Sequence, residues 1–112
     1  MFIKNNQVTT FDLAKGISSK ILAHDENLMI VENTFSTNAI AHMHQHPHEQ
    51  AGYVLSGVFE FAIAKERQIL QKGDSFVISN NMLHSCRAIV GGIILDIFTP
   101  CRNDLLVKSQ NS

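Results

Sequence analysis

No window of a dozen residues in this chain carries a helical period, and its apolar segments are all of strand length. Leu28 to Val31 is a short apolar run. Val58 to Ala64 alternates, with Phe59, Phe61 and Ile63 on one face and Glu60 between them on the other. Ser75 to Ile78 is rich in strand formers and follows a turn signal at Lys72, Gly73 and Asp74. Ile93 to Phe98 is long enough for a complete strand, with Asp96 as its only charged member. Gly57, Gly73 and the pair Asn80-Asn81 punctuate the chain at turn-like intervals. Many short strands so spaced predict an all-β sandwich or barrel. Its core would run over about residues 28–99, after a short turn around Phe11 to Lys15 and before an irregular C-terminal tail. The 112 residues suit a single domain with one buried core, and no linker divides them.

A net charge of −1 provides no electrostatic footprint for nucleic acid or an anionic membrane. The longest apolar stretch, from Ile89 to Leu95, is broken by Gly91 and Gly92, and no stretch is long enough to span a bilayer. The N-terminus turns polar at Lys4-Asn5-Asn6, too soon for a signal peptide. Cys86 and Cys101 form neither a disulfide framework nor a closely spaced pair. Together these features describe a cytoplasmic protein with reduced thiols.

Histidine is the skewed residue, since four of the six lie between His42 and His48. His42, His44 and His46 alternate and on a strand would share one face. Same-face neighbours are about 6.5–7 Å apart along a strand, so two imidazoles can converge on one ion, whereas three in a row fit less well. Pro47 should end or bulge the strand and let Gln50 swing back toward the cluster. A lone histidine on a strand is more often a core or surface residue than a ligand, and a histidine tract can be a tag. This tract is internal, alternates and leads into Glu49-Gln50 and a strand, which argues against a tag. From the residues alone, a metal site and a solvated strand both remain open.

His44, His46, Gln50 and Gly57 resemble, at their spacing, the first sequence motif of the cupins, with two histidines, a Glu or Gln and a closing glycine. Gly73, Ser79, Asn81 and His84 resemble the second motif, in which the family has Pro and Gly where this chain has Ser79 and Asn81. Asn38 stands where the first motif often opens with glycine, and asparagine tolerates the same left-handed turn. The resemblance implies a single-domain all-β cupin, a double-stranded β-helix or jelly-roll barrel. It also implies that His44, His46, Gln50 and His84 bind one divalent transition metal, with His42 at the rim and His48 facing outward. His24, before Asp25-Glu26-Asn27, reads as a solvated turn residue. Three imidazoles and an amide oxygen suit Zn, Ni, Mn, Fe or Co, and four protein ligands leave room for water or substrate, as in catalytic sites.

Phe11 to Leu106 is similar to the small bacterial cupins of pectin and alginate breakdown, which ketonise unsaturated uronates. The similarity is carried by Gly16 to Leu22, by His44 to Gly57, and above all by Leu95 to Asp104. It implies that Asp96, Phe98 and Arg102 line the site beside the metal. The strand pattern independently puts Ile94, Asp96 and Phe98 on one face, where a carboxylate is costly to bury unless paired or functional. Two readings of Asp96 follow, a structural ion pair with Arg102 or a proton carrier beside a metal.

The activity so implied is conversion of 4,5-unsaturated monouronates to the linear 5-keto form. Asp96 would move the proton, Arg102 would clamp the substrate carboxylate and Phe98 would pack on the sugar. A metal-dependent dioxygenase and a non-enzymatic sugar-binding cupin are the alternatives. Analogy with cupins of this size implies a homodimer.

Overall fold

The computed structural model describes residues 1–111. After a 3₁₀ turn at Asn5–Gln7 come β1 (Phe11–Ala14), β2 (Ile17–His24), β3 (Met29–Phe35), β4 (Ile40–His44) and β5 (Glu49–Val54). They are followed by β6 (Val58–Ile63), β7 (Glu66–Gln71), β8 (Ser75–Ile78), β9 (His84–Val90), β10 (Gly92–Thr99) and α1 (Asn103–Gln110). One six-stranded sheet has the order β1-β2-β3-β10-β5-β8, and a four-stranded sheet has the order β4-β9-β6-β7. Every pairing is antiparallel. No ladder joins the two sheets among the described residues, so the architecture is a two-sheet jelly roll rather than a closed barrel.

Period-two burial explains the layers. Met29, Val31, Asn33 and Phe35 of β3 point inward, as do Ile94, Asp96 and Phe98 of β10. Phe59 is fully buried and meets Phe35 edge-on at 5.2 Å between ring centroids. Burying such a ring contributes about 1.5–3 kcal/mol relative to leaving it exposed. A second cluster joins Met29, Val31 and Phe98 to Cys101 and Leu105.

Both ends of the chain differ from expectation. The segment from Phe11 is strand β1, paired with β2, and Phe11 and Ile17 are buried, so the ordered fold starts well before residue 28. The C-terminal segment is helix α1, docked through Leu105. Its eight residues are too few to show a period in a longer window, and Arg102 at its N-cap makes no side-chain cap. Asp104 in the first turn and Lys108 in the last do match the helix dipole.

The turns behave as expected. Asn38 and Asn81 adopt φ of 72° and 63°. Gly57 has φ of 86°, and a Cβ there would lie 2.7 Å from the Val90 carbonyl oxygen.

Candidate metal centre and active-site cavity

His44 closes β4 and His84 opens β9, directly across the ladder, with ring centroids 4.2 Å apart. His46 lies two residues beyond β4, in the bend toward β5, rather than on the same strand as His44. Its ring is 5.8 Å from His44 and 4.9 Å from His84. The backbone N–H of Asn81 donates to the His46 carbonyl at 2.7 Å, which ties this bend to the turn that precedes His84.

His42 is not on the face of His44. The β4–β9 register shifts between Ala41 and His44, so Ala41 packs on the core and His44 lines the internal cavity. His42 instead borders an outer groove with Lys15 and Thr37. A bulge of this kind re-aims a side chain that strict alternation would place elsewhere. His48 is half-buried against His46, 5.7 Å between rings, instead of facing outward. His24 ends β2 half-buried, with Nδ1 against the Leu22 carbonyl, rather than sitting in a solvated turn.

The three inner imidazoles share one arrangement. Nδ1 of His44 meets the His42 carbonyl at 2.7 Å, that of His46 the His48 carbonyl at 2.9 Å, and that of His84 the Met82 carbonyl at 2.9 Å. A carbonyl only accepts, so each Nδ1 carries the proton and each Nε2 keeps its lone pair. Burial, then the charge of Arg102, lowers the His46 pKa, and burial brings that of His84 down to about 4. Both rings are therefore neutral at neutral pH.

One ring nitrogen from each of His44, His46 and His84 lies within 4.8 Å of the others. Nε2 of His84 is buried without a hydrogen-bond partner. Oε1 of Gln50, an acceptor, lies 3.0 Å from Nε2 of His46, another acceptor. An orphaned lone pair and two facing acceptors are costly when buried, and a cation satisfies all of them. The residues present fit a divalent metal ion.

Beyond the cluster, His44, Gln50, His84, Asp96, Phe98 and Arg102 line a single cavity of about 80 Å³. Asp96 accepts from Nε2 of Gln50 at 2.8 Å and from Nδ2 of Asn33 at 2.7 Å. Burial pushes its pKa up to about 6 against those two hydrogen bonds and the charge of Arg102. Arg102 does not pair with Asp96. Its guanidinium lies 4.9 Å above the Phe98 ring and forms an ion pair with Asp104 at 2.7 Å, so the structural pair considered from the sequence is not made. Asn33 and Asp104 are site residues that the sequence motifs do not mark. Asn33 has a sequence signal, a polar residue in the inward register of Met29, Val31 and Phe35.

Residues 32–97 match the family model described as "Cupin domain". The chain belongs to the cupin family. This cupin is 36% identical over 97 residues to the pectin degradation protein KdgF of Dickeya dadantii (strain 3937), covering 85% of this chain and 88% of that one. It superposes on the structure of KdgF from Halomonas sp. with a TM-score of 0.88 and 36% identity, over 94% of this chain and 97% of the other. An RmlC-like cupin from Shewanella frigidimarina NCIMB 400 gives a TM-score of 0.89 and 31% identity, over 93% and 94% of the two chains.

Proposed function

We propose that this cupin is a metal-dependent enzyme that converts 4,5-unsaturated monouronates, released from pectin or alginate, to the linear 5-keto form. The observation that carries the reading is one cavity on which His44 and His84 of the imidazole cluster, a buried carboxylate and a guanidinium converge. Similarity to two KdgF proteins, one of them named for pectin degradation, supports the substrate class.

His44, His46, Gln50 and His84 would hold the ion, and the neutral donor set suits Zn, Ni, Mn, Fe or Co. Bound there, a divalent ion supplies Lewis acidity toward a carboxylate or ring oxygen of the sugar. Arg102 binds the substrate carboxylate through Nη1 and the second N–H of Nη2, since Nε and the first N–H of Nη2 are engaged by Asp104. Phe98 packs on the sugar face and holds the guanidinium over its ring. Opening of the hemiacetal breaks the bond between carbon 1 and the ring oxygen, the proton of the carbon 1 hydroxyl passes to that oxygen, and an aldehyde at carbon 1 and an enol at carbon 5 result. Asp96 delivers a proton to carbon 4 and recovers one from the enol hydroxyl, giving the ketone. Each carboxyl oxygen of Asp96 accepts one amide hydrogen bond and keeps a second lone pair for that proton.

A cytoplasmic homodimer completes the reading. The outer face of the six-stranded sheet supports pairing, because Ile30, Ile97, Ala51 and Val77 stand in register across it and Ile97 and Val77 are exposed.

The deciding experiment follows the ultraviolet absorbance of unsaturated galacturonate with metal-loaded protein, with and without oxygen. Loss of the chromophore in both conditions is expected. Turnover only with oxygen and iron would make the protein a dioxygenase, and binding without turnover would make it a sugar-binding cupin.

A further inference from the structure

Four polar side chains cross the inward face of the six-stranded sheet on four adjacent strands: Ser19 on β2, Asn33 on β3, Asp96 on β10 and Gln50 on β5. Their exposures are 1%, 8%, 6% and 8%. Ser19 and Asn33 are direct cross-strand partners. Asp96 is diagonal to Asn33, whose direct partner is Ile94. Gln50 is diagonal to Asp96, its own direct partner being Phe98.

Donor and acceptor chemistry decides the direction of this chain. A carboxylate only accepts. Asn33 therefore presents Nδ2 to Oδ2 of Asp96 at 2.7 Å, and Gln50 presents Nε2 to Oδ1 at 2.8 Å. Both amide oxygens then point away from Asp96. The Ser19 hydroxyl donates to that of Asn33. That of Gln50 is directed at the imidazoles, 3.0 Å from Nε2 of His46. A reversed Gln50 amide would set its oxygen against the carboxylate and its N–H groups against the ion site.

Stability alone does not call for this arrangement. Val31 and Phe35 flank Asn33 on the same face and pack as ordinary core residues. Replacing buried polar partners together by apolar groups of the same shape is often neutral or stabilising.

We infer that Ser19 and Asn33 are positioning residues of the metal centre, acting through Asp96 to lock the Gln50 carboxamide with its oxygen toward the ion. Asn33 holds Oδ2, so the carboxylate cannot rotate and release Oδ1 from Gln50. The inference rests on reading His44, His46, Gln50 and His84 as metal ligands.

The test titrates metal-free protein with Co²⁺, whose visible absorption reports ligand number and geometry. Asn33→Ala is expected to weaken Co²⁺ binding by about 10- to 100-fold, the usual effect of losing an outer-sphere partner, and to change the absorption bands. Ser19→Ala should act in the same direction with a smaller factor. Val31→Ala, a cavity variant on the same face of β3, should lower Tm and leave Co²⁺ affinity and spectrum at parental values. Parental affinity and spectrum in Asn33→Ala overturn the inference, as does an equal loss of affinity in Val31→Ala. If Asn33→Ala does not fold, Ser19→Ala decides, and unchanged Co²⁺ affinity overturns it. A parent protein that takes up no Co²⁺ removes the metal reading and this inference together, whereas a parent that binds while the variants are unaffected removes only the positioning role.

Discussion

Nε2 of His46 and Oε1 of Gln50 face each other at 3.0 Å with a lone pair on each, because the ring proton of His46 is committed to the His48 carbonyl and the Gln50 N–H groups to Asp96. Two buried acceptors at that distance repel. A cation between them turns the repulsion into coordination, which makes this pair the most direct structural argument for the ion. In metal-loaded crystals, anomalous scattering is expected to place one ion among His44, His46, Gln50 and His84, with His42 and His48 uncoordinated. An ion on His42 with His46 free would show that the ligand set is wrong.

His84→Ala should lose the metal and the activity but keep the fold. The core is built from the apolar side chains of Phe35, Phe59, Val54 and Ile94 and of the Met29–Phe98 cluster, where Phe98 meets the ring of His46 rather than that of His84. A cost of about 1–3 kcal/mol is expected from truncating one buried side chain, measured by denaturant unfolding of the metal-free proteins. Collapse of the variant to an unfolded chain by circular dichroism would recast the ion as structural.

Asp96→Asn separates proton transfer from shape. The variant can be accommodated, because Asn33 can turn its amide over and the Ser19 hydroxyl accepts as readily as it donates. Gln50 then keeps its bond to position 96. At saturating metal, the rate of chromophore loss should fall by at least about 10²-fold, the size of a lost general acid–base. A variant that folds, binds metal and turns over at the parental rate would remove Asp96 from the mechanism.

Arg102→Ala should raise KM more than it lowers kcat, since a carboxylate clamp acts before the transition state. Asp104→Ala leaves the guanidinium in place but frees it from its ion pair at Nε and Nη2. A smaller KM increase than for Arg102→Ala is expected, with kcat near the parental value. Equal effects on kcat and on kcat/KM in Arg102→Ala would instead place the guanidinium in the transition state.

Burial holds the Asp96 pKa at about 6, above its ordinary 3.8, so folding favours the protonated form. The stability it contributes is present in full below about pH 4 and is lost as pH rises through about 6. Asn at this position stays neutral throughout. Metal-free Asp96→Asn should therefore gain stability relative to the parent as pH rises from about 4 to about 7, by up to about 3 kcal/mol for a two-unit shift. Thermal unfolding of both proteins across that range checks the sign, and a difference independent of pH would show that the carboxyl is not perturbed.

The sequence determined what depends on local period and on spacing. Alternation in Val58–Ala64 and Ile93–Phe98 marks β6 and β10 and puts Asp96 inward, because side chains on a strand change face at every residue. The positions of Asn38, Asn81 and Gly57 mark left-handed turns, because few residues tolerate that backbone. Resemblance to the cupin motifs singles out His44, His46, Gln50 and His84, which the fold does bring together. Only the tertiary structure decided which way those residues point and what holds them. The bulge between Ala41 and His44 arises from pairing with β9, and it moves His42 away from a face that strict alternation assigns to it. Arg102 takes Asp104 instead of Asp96 because helix α1, too short to show a period, carries that carboxylate beside it. The chain from Ser19 to Gln50 joins residues on four strands that are neighbours only in the sheet. Its polarity comes from a carboxylate that can only accept, and that constraint exists only once the strands have been laid side by side.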